Sequence, residues 1–140
     1  MPADTIELAR RHDAAFNARD PEGRLAVEAP DVEVIYPGGL ELHGSEQVLQ
    51  MVQAFWEALP DAQINAELQL SSGEMVFAEG TLTGTHNGAF RTPQGEIPAT
   101  GNTVHVRYAT LKRFRGGKLV SEHLYFDQLE FLQQLGALGT

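Results

Sequence analysis

The feature that most constrains this chain is a change of hydrophobic period just after Pro60. Before it, apolar residues recur at helical spacing. From Ala62 onward they alternate, as on strands with one buried face. The alternation runs through "QINAELQLSS", "GEMVFAEGTLTGTH", "TVHVRYATLKRF" and "KLVSEHLYFD". It stops at Asp127, and Leu129, Leu132 and Leu135 restore a helical period. Helices, then long strands, then one short helix argue an α+β fold, because helices segregated from antiparallel strands form their own layer. Strands this long imply a strongly curved sheet that wraps over the early helices and leaves a cavity.

The first helix is expected over Thr5–Ala18, with Asp4 and Glu7 as a capping pair and Ile6, Leu8, Ala9, His12, Ala15 and Phe16 as its buried stripe. "GRLAVEAPD" reads as a short helix or turn ended by Pro30, "VEVIYP" as a short strand, and "GGLELHGS" as a turn region. A second helix is expected over Glu46–Leu59, with Val48, Val52, Phe55 and Leu59 on one side. "RGG" at Arg115–Gly117 reads as a tight hairpin, and "NGAFRTPQGEIPATGN" as a Pro/Gly-rich loop. The 140 residues suit a single domain over the whole chain, without linker or repeat.

Composition narrows the chemistry. With no cysteine, disulfides, thiolate metal sites and cysteine nucleophiles are excluded. Ten Lys and Arg against nineteen Asp and Glu give a formal charge of −9, a field that repels nucleic acid and anionic membrane. No apolar run approaches the ~18–20 residues that span a bilayer, and "MPADTIELARRHD" lacks the apolar core of a secretory signal. A soluble, cytoplasmic protein is the expectation. No HExxH, GxSxG, GxGxxG or Walker pattern is present, and no His/Asp/Glu spacing implies a metal.

Reactivity must then come from the five histidines, the carboxylates and the tyrosines. Strand parity places His86 with Val76, Ala78 and Leu82 on the inward face. It reads either as a proton-transfer or binding group at a cavity mouth or as a satisfied core histidine. Val104, Val106 and Tyr108 form the more apolar face of their strand, which turns Tyr108 inward and His105 and Arg107 outward. On the last strand the even face, with Val120, Glu122, Leu124 and Phe126, is the more apolar and favours the core. The odd face, His123, Tyr125 and Asp127, is an acid/base row if it lines the cavity and a polar outer surface if it does not. Asp127 opens "DQLE", with Glu130 at the capping-box position and Gly136 past the helix end, so local rules make it a helix cap.

The pieces "AAFNARD", "PDAQI", "GTHNGAF", "IPATGNTV", "RFRGGKLVSEH" and "YFDQLEFLQQLG" come in order. Together they resemble the SnoaL-like polyketide cyclase family of the nuclear transport factor 2-like superfamily, over nearly the whole chain. The resemblance implies a cone-shaped α+β barrel with a mixed, mainly antiparallel sheet, a deep apolar pocket and a homodimer. It implies ring closure by intramolecular aldol condensation, with no cofactor and no metal. Asp127 matches the family's acid/base aspartate and His86 the histidine of the "GTH" piece. His123 stands where the family often has tryptophan, and Thr110 where relatives can carry histidine.

The expected function is therefore a cofactor-independent acid/base enzyme, cyclase or isomerase in type, acting on a small hydrophobic carbonyl compound. Asp127 would take the proton, and His86, with Tyr108 or His123, would bind the enolate oxygen. Trp56, Phe16, Phe55 and Phe90 would shape the pocket, with Tyr36 and Asn17 near its mouth. The rivals are a noncatalytic ligand-binding or dimerisation module of the same fold and, more weakly, an epoxide-hydrolase-like enzyme.

Overall fold

The computed structural model describes residues 4–92 and 95–137. Helix α1 (Thr5–Asn17) starts at Asp4, whose carboxylate accepts from the Ile6 amide at 3.0 Å, as an N-cap should. Helix α2 (Pro21–Val27) has proline in its first turn, where a missing N–H costs nothing. Strand β1 (Glu28–Tyr36) follows at once. It begins before the expected "VEVIYP" and runs through Pro30 instead of ending there. Its register against the last strand slips between Glu28 and Glu33, so Pro30 lies in an irregular stretch where no ladder donor is required.

The expected turn region contains a short edge strand, β2 (Leu40–His43), paired antiparallel to β1. Helix α3 (Ser45–Ala58) leads into β3 (Gln63–Ser72) and β4 (Met75–Thr85). The Pro/Gly-rich segment expected as a loop holds a small hairpin, β5 (Phe90–Thr92) and β6 (Gly95–Ile97), while Pro93 and Gln94 lie outside the described residues. Then come β7 (Thr103–Arg115), β8 (Lys118–Phe126) and α4 (Gln128–Leu135).

Six strands form one curved sheet in the order β2-β1-β8-β7-β4-β3. Only the β1–β8 pair among them is parallel. The result is the α+β fold that the alternation implied, with the mixed, mainly antiparallel sheet that the resemblance implied. Curvature has a local cause. The β3–β4 register slips between Ala66 and Leu68, and at Gly80 opposite a Cβ would fall 2.0 Å from the Asn65 carbonyl oxygen. Only glycine permits that approach, and slips of this kind increase twist.

The core lies between the sheet's inner face and the helices. Val32 and Val34 of β1, Val76 of β4 and Val104 and Val106 of β7 meet Leu8 and Phe16 of α1 and Val48 and Val52 of α3. On β7 the even residues are buried, as parity required. On β8 a slip opposite Arg113–Phe114 turns Leu119 inward against Phe114. Beyond the slip Glu122, Leu124 and Phe126 face inside. Helix α4 docks through Phe131 and Leu135 and stops at Gly136, whose φ of +81° suits glycine. No helix among the described residues is long and apolar enough to cross a membrane.

Candidate functional site

Inside the curve, between the sheet and α1, lies a chamber of about 80 Å³. Phe16, Val52, Phe55, Leu82, Val106 and Leu124 make its apolar wall. Its polar wall comes from α1 and from the inner faces of β7 and β8: His12, Asp13, Tyr108, Thr110, Lys112 and Glu122. Arg24 and Tyr36 complete it. The alternation that builds the core thus also delivers these groups, because every second residue of β7 and β8 must point here.

A chain of buried polar contacts runs behind the chamber. Lys112 Nζ donates to Asp13 Oδ1 at 2.9 Å and to His12 Nδ1 at 3.0 Å. With Nδ1 accepting, the ring proton sits on Nε2, which donates to Glu28 Oε2 at 2.7 Å. Arg24 Nη2 donates to the same oxygen at 3.1 Å. Burial, and then the charges of Arg24 and Lys112, push His12 well below its ordinary 6.5. The imidazole is therefore neutral and serves as a fixed spacer between a carboxylate and an ammonium. Burial pushes the Glu28 carboxyl up, and the Arg24 guanidinium opposes it. Both ring nitrogens and this carboxylate are occupied, so the chain holds charge in place.

Two groups facing the chamber are not occupied. The Tyr108 hydroxyl is buried and has no hydrogen-bond partner among the described residues. Glu122, half-buried, makes no hydrogen bond or ion pair among the described residues. Burial pushes the Tyr108 phenol well above its usual range, with Asp13 and Glu122 adding to it, and burial followed by Glu122 does the same to Tyr36. Both phenols stay protonated and able to donate. A buried donor without a partner costs free energy that a ligand oxygen would recover. A hydroxyl donor, an uncommitted carboxylate and a fixed ammonium around an apolar space can move a proton and bind the oxyanion that results.

The candidates from the sequence fall in several places. Asp127 and His86 do not meet in one cavity. Asp127 is exposed and caps α4, accepting from the Glu130 amide at 3.1 Å. His86 is fully buried under the loop that precedes β7 and lines neither this chamber nor its neighbour. Its Nδ1 pairs with Thr100 Oγ1 at 2.9 Å, its amide donates to the Asn102 carbonyl, and its own carbonyl accepts from Thr100 and Gly101. His123 lies on the outer face of β8, opposite Leu111 and Ile35, because the inner face belongs to its even-numbered neighbours. Asn17 is not at the chamber mouth: its side chain bonds both the amide and the carbonyl of Ile64 and ties α1 to β3. Trp56 packs on Phe16, and its indole N–H donates to the Phe16 carbonyl, which leaves it behind the wall. Phe90 lines the adjoining outer cavity, Tyr108 the inner chamber, and Tyr36 both. Arg107 points outward and pairs with Glu79 and Glu67.

The groups that the sequence reading passed over are Lys112, Glu122, Asp13, Arg24 and Glu28, while His12 was read only as part of a buried stripe. A signal did exist for three of them. Lys112 interrupts the apolar face of β7, Glu122 that of β8, and His12 that of α1. A charge on an otherwise apolar face is the informative departure. Lys112 and Glu122 are also direct cross-strand partners.

A curved sheet closed by helices over a chamber with acid/base groups defines a class of small-molecule enclosing α+β proteins. Within it, the sequence profile of the SnoaL-like polyketide cyclase family matches residues 6–135, and the chain belongs to that family. Solved structures agree in fold. A protein from Jannaschia sp. CCS1 described as a SnoaL-like polyketide cyclase superposes with a TM-score of 0.85 at 20% identity, over 95% of this chain and 92% of that one. AclR of Streptomyces galilaeus, described as a hydroxylase, gives 0.82 at 25% identity, over 97% and 83%. A Catenulispora acidiphila protein with a ketosteroid isomerase-like fold, in complex with trimethylamine, gives 0.77 at 22% identity, over 95% of each chain. No curated protein matches the chain significantly.

Proposed function

We propose that the protein is a cofactor-independent acid/base enzyme, of cyclase or isomerase type, acting on a hydrophobic carbonyl compound. The observation that carries this is that the Tyr108 hydroxyl and the Glu122 carboxylate face one apolar chamber with no hydrogen-bond partner among the described residues. Glu122 takes a proton from the carbon α to the carbonyl, and the electron pair moves onto the carbonyl oxygen. Tyr108 donates a hydrogen bond to that oxygen as its charge grows. Lys112, fixed by Asp13 and His12, adds positive charge to the same wall. In an isomerisation the Glu122 proton returns to a different carbon. In a ring closure the α carbon attacks a second carbonyl of the same molecule, and the new alkoxide takes the proton. Family membership and a relative described as a polyketide cyclase favour this class, and a structural neighbour is described in complex with the small organic molecule trimethylamine.

The test is exchange of the α protons of 2-tetralone into D2O, followed by proton NMR. The wild type should accelerate exchange, and Tyr108→Phe should reduce the rate ~10²-fold, in the range seen for loss of one oxyanion donor. Binding of 2-tetralone without any acceleration would instead support the noncatalytic module.

The same proposal includes a homodimer through the outer sheet face. Leu70, Phe77, Leu111, His123 and Ile35 stand opposite one another in register and form a row across five strands. Leu70 is 58% exposed and Phe77 36%. Six strands at ~4.8 Å spacing and ~20 Å length offer a footprint on the order of 500 Å², which side-chain relief brings toward the ~800 Å² per partner of a standard interface. Light scattering should give twice the chain mass, and Phe77→Asp should return it to the monomer.

A further inference from the structure

Two phenols reach the inner chamber, and the proton transfer described above uses one of them. The other is Tyr36, the last residue of β1, which lines the chamber where it opens toward the neighbouring cavity. Its ring stacks on that of Phe55, with 17° between the planes at 6.4 Å, and this fixes its direction. Its hydroxyl makes no hydrogen bond among the described residues. Burial, followed by the charge of Glu122, holds the phenol well above its usual range, so it stays a donor.

Strand register places the two phenols around Glu122. In the order β1-β8-β7, Tyr36 and Tyr108 stand on the two strands that flank β8. Val34 and Lys112 are the partners of Glu122 on those strands. Tyr36 is one inward step along from Val34, and Tyr108 two inward steps from Lys112, opposite Phe126. Because β1 runs parallel to β8 and β7 antiparallel, both steps lead toward the same end of β8. Glu122 is thus one corner of a triangle whose other two corners are hydroxyl donors. Strands ~4.8 Å apart put the two phenol backbones ~10 Å from each other, and inward side chains on a concave face converge. The remaining donors do not match this arrangement. Lys112 is tied to Asp13 and His12, Arg24 to Glu28, and Thr110 shares the strand of Tyr108.

An isomerisation builds charge on one carbonyl oxygen, for which one donor suffices. A ring closure builds it on two, first on the enolate oxygen and then on the oxygen of the carbonyl under attack. We propose that Tyr36 is a further catalytic residue, the donor to that second oxygen, and that the chamber is arranged for ring closure. The assignment rests on the acid/base reading above and decides between its two branches. Glu122 takes the α proton, and the C–H pair becomes the enolate held by Tyr108. The enolate carbon attacks the second carbonyl carbon. A carbon–carbon bond forms, the first C=O is restored, and the π pair of the second moves onto its oxygen, where Tyr36 donates. The alkoxide then takes the proton that Glu122 holds. The product is a cyclic β-hydroxy ketone, and no other reactant enters.

Heptane-2,6-dione in D2O, followed by proton NMR, tests this. Each enolate either takes up deuterium or closes to 3-hydroxy-3-methylcyclohexanone, so the ratio of closure to exchange reports the second step alone. The ratio does not depend on the amount of folded protein, so partial loss of the fold cannot imitate the result. The wild type should accelerate both processes over buffer. In Tyr36→Phe the ratio should fall ~10²-fold, in the range seen for loss of one oxyanion donor. In Tyr108→Phe both rates should fall together, with the ratio within ~3-fold of the wild type. An unchanged ratio in Tyr36→Phe, an equal fall in Tyr108→Phe, or a wild type that exchanges without closing the ring would overturn the role of Tyr36 and leave the acid/base reading standing. A wild type that accelerates neither process would overturn both.

Discussion

Along β8 two rows of side chains run side by side. The outer row carries His123 and Tyr125 and ends at Asp127. The inner row carries Glu122 among Leu124 and Phe126. The outer row is the richer in acid/base residue types, yet its carboxylate is exposed and bound to a helix amide. The inner row has one carboxylate, set beside apolar side chains and without a hydrogen-bond or ion-pair partner among the described residues. Reactivity follows surroundings more than residue type. Water and a backbone donor occupy the surface aspartate, while the glutamate carboxylate faces the chamber where a substrate would lie.

The contrast extends to the ion pairs and can be broken there first. Lys112 is 3% exposed and holds both Asp13 and His12. Lys112→Met leaves the part-buried Asp13 carboxylate and a buried ring nitrogen unpaired and should cost ~3 kcal/mol in denaturant unfolding. Arg107, on the outer face, pairs with Glu79 at 3.1 Å between half-exposed side chains. Arg107→Met should cost under ~1 kcal/mol, because solvent screens such pairs. Equal losses in the two variants would erase the distinction between the faces.

Acid is the next way in. The fold holds His12 neutral, and its folded value lies below the ordinary 6.5. The unfolded chain therefore binds the extra proton first, so stability declines as pH falls below 6.5 and recovers as pH rises. The slope attributable to His12 approaches ~1.4 kcal/mol per pH unit at most. Glu28, raised in the fold, contributes with the opposite sign as it takes a proton. Unfolding curves of the wild type and His12→Gln between pH 7 and pH 5 should therefore differ in slope, with the variant the flatter. Parallel curves would show that His12 is not held neutral.

The smallest effect concerns the cap. Asp127→Ala should lower stability by ~1 kcal/mol, with no change in affinity for 2-tetralone. Loss of affinity at constant stability would instead move Asp127 into the site.

These contrasts also show what the sequence could disclose. The period change near Pro60 and the parity of β4 and β7 were legible, because burial of one face forces alternation. The Asp4 and Asp127 caps were legible from local rules. The passage of β1 through Pro30 was not, because it depends on a register slip against a strand distant in sequence, and the β5–β6 hairpin was masked by the Pro/Gly-rich composition of its segment. The charged wall was the least legible part. It joins His12, Asp13, Arg24 and Glu28 from the first 28 residues to Lys112 and Glu122 near the end, and no spacing rule connects them. Resemblance directed attention to Asp127. The odd charges on apolar faces, Lys112 and Glu122, pointed to the chamber.

The most direct test of the account compares two neighbouring carboxylates in one assay. Exchange of 2-tetralone α protons into D2O is followed for Glu122→Gln and Asp127→Asn beside the wild type. Glu122→Gln should slow exchange ~10²-fold or more, as removal of a general base does, while Asp127→Asn stays within ~2-fold. The reverse pattern, with Asp127→Asn slow and Glu122→Gln unaffected, would contradict the inner chamber as the seat of the chemistry.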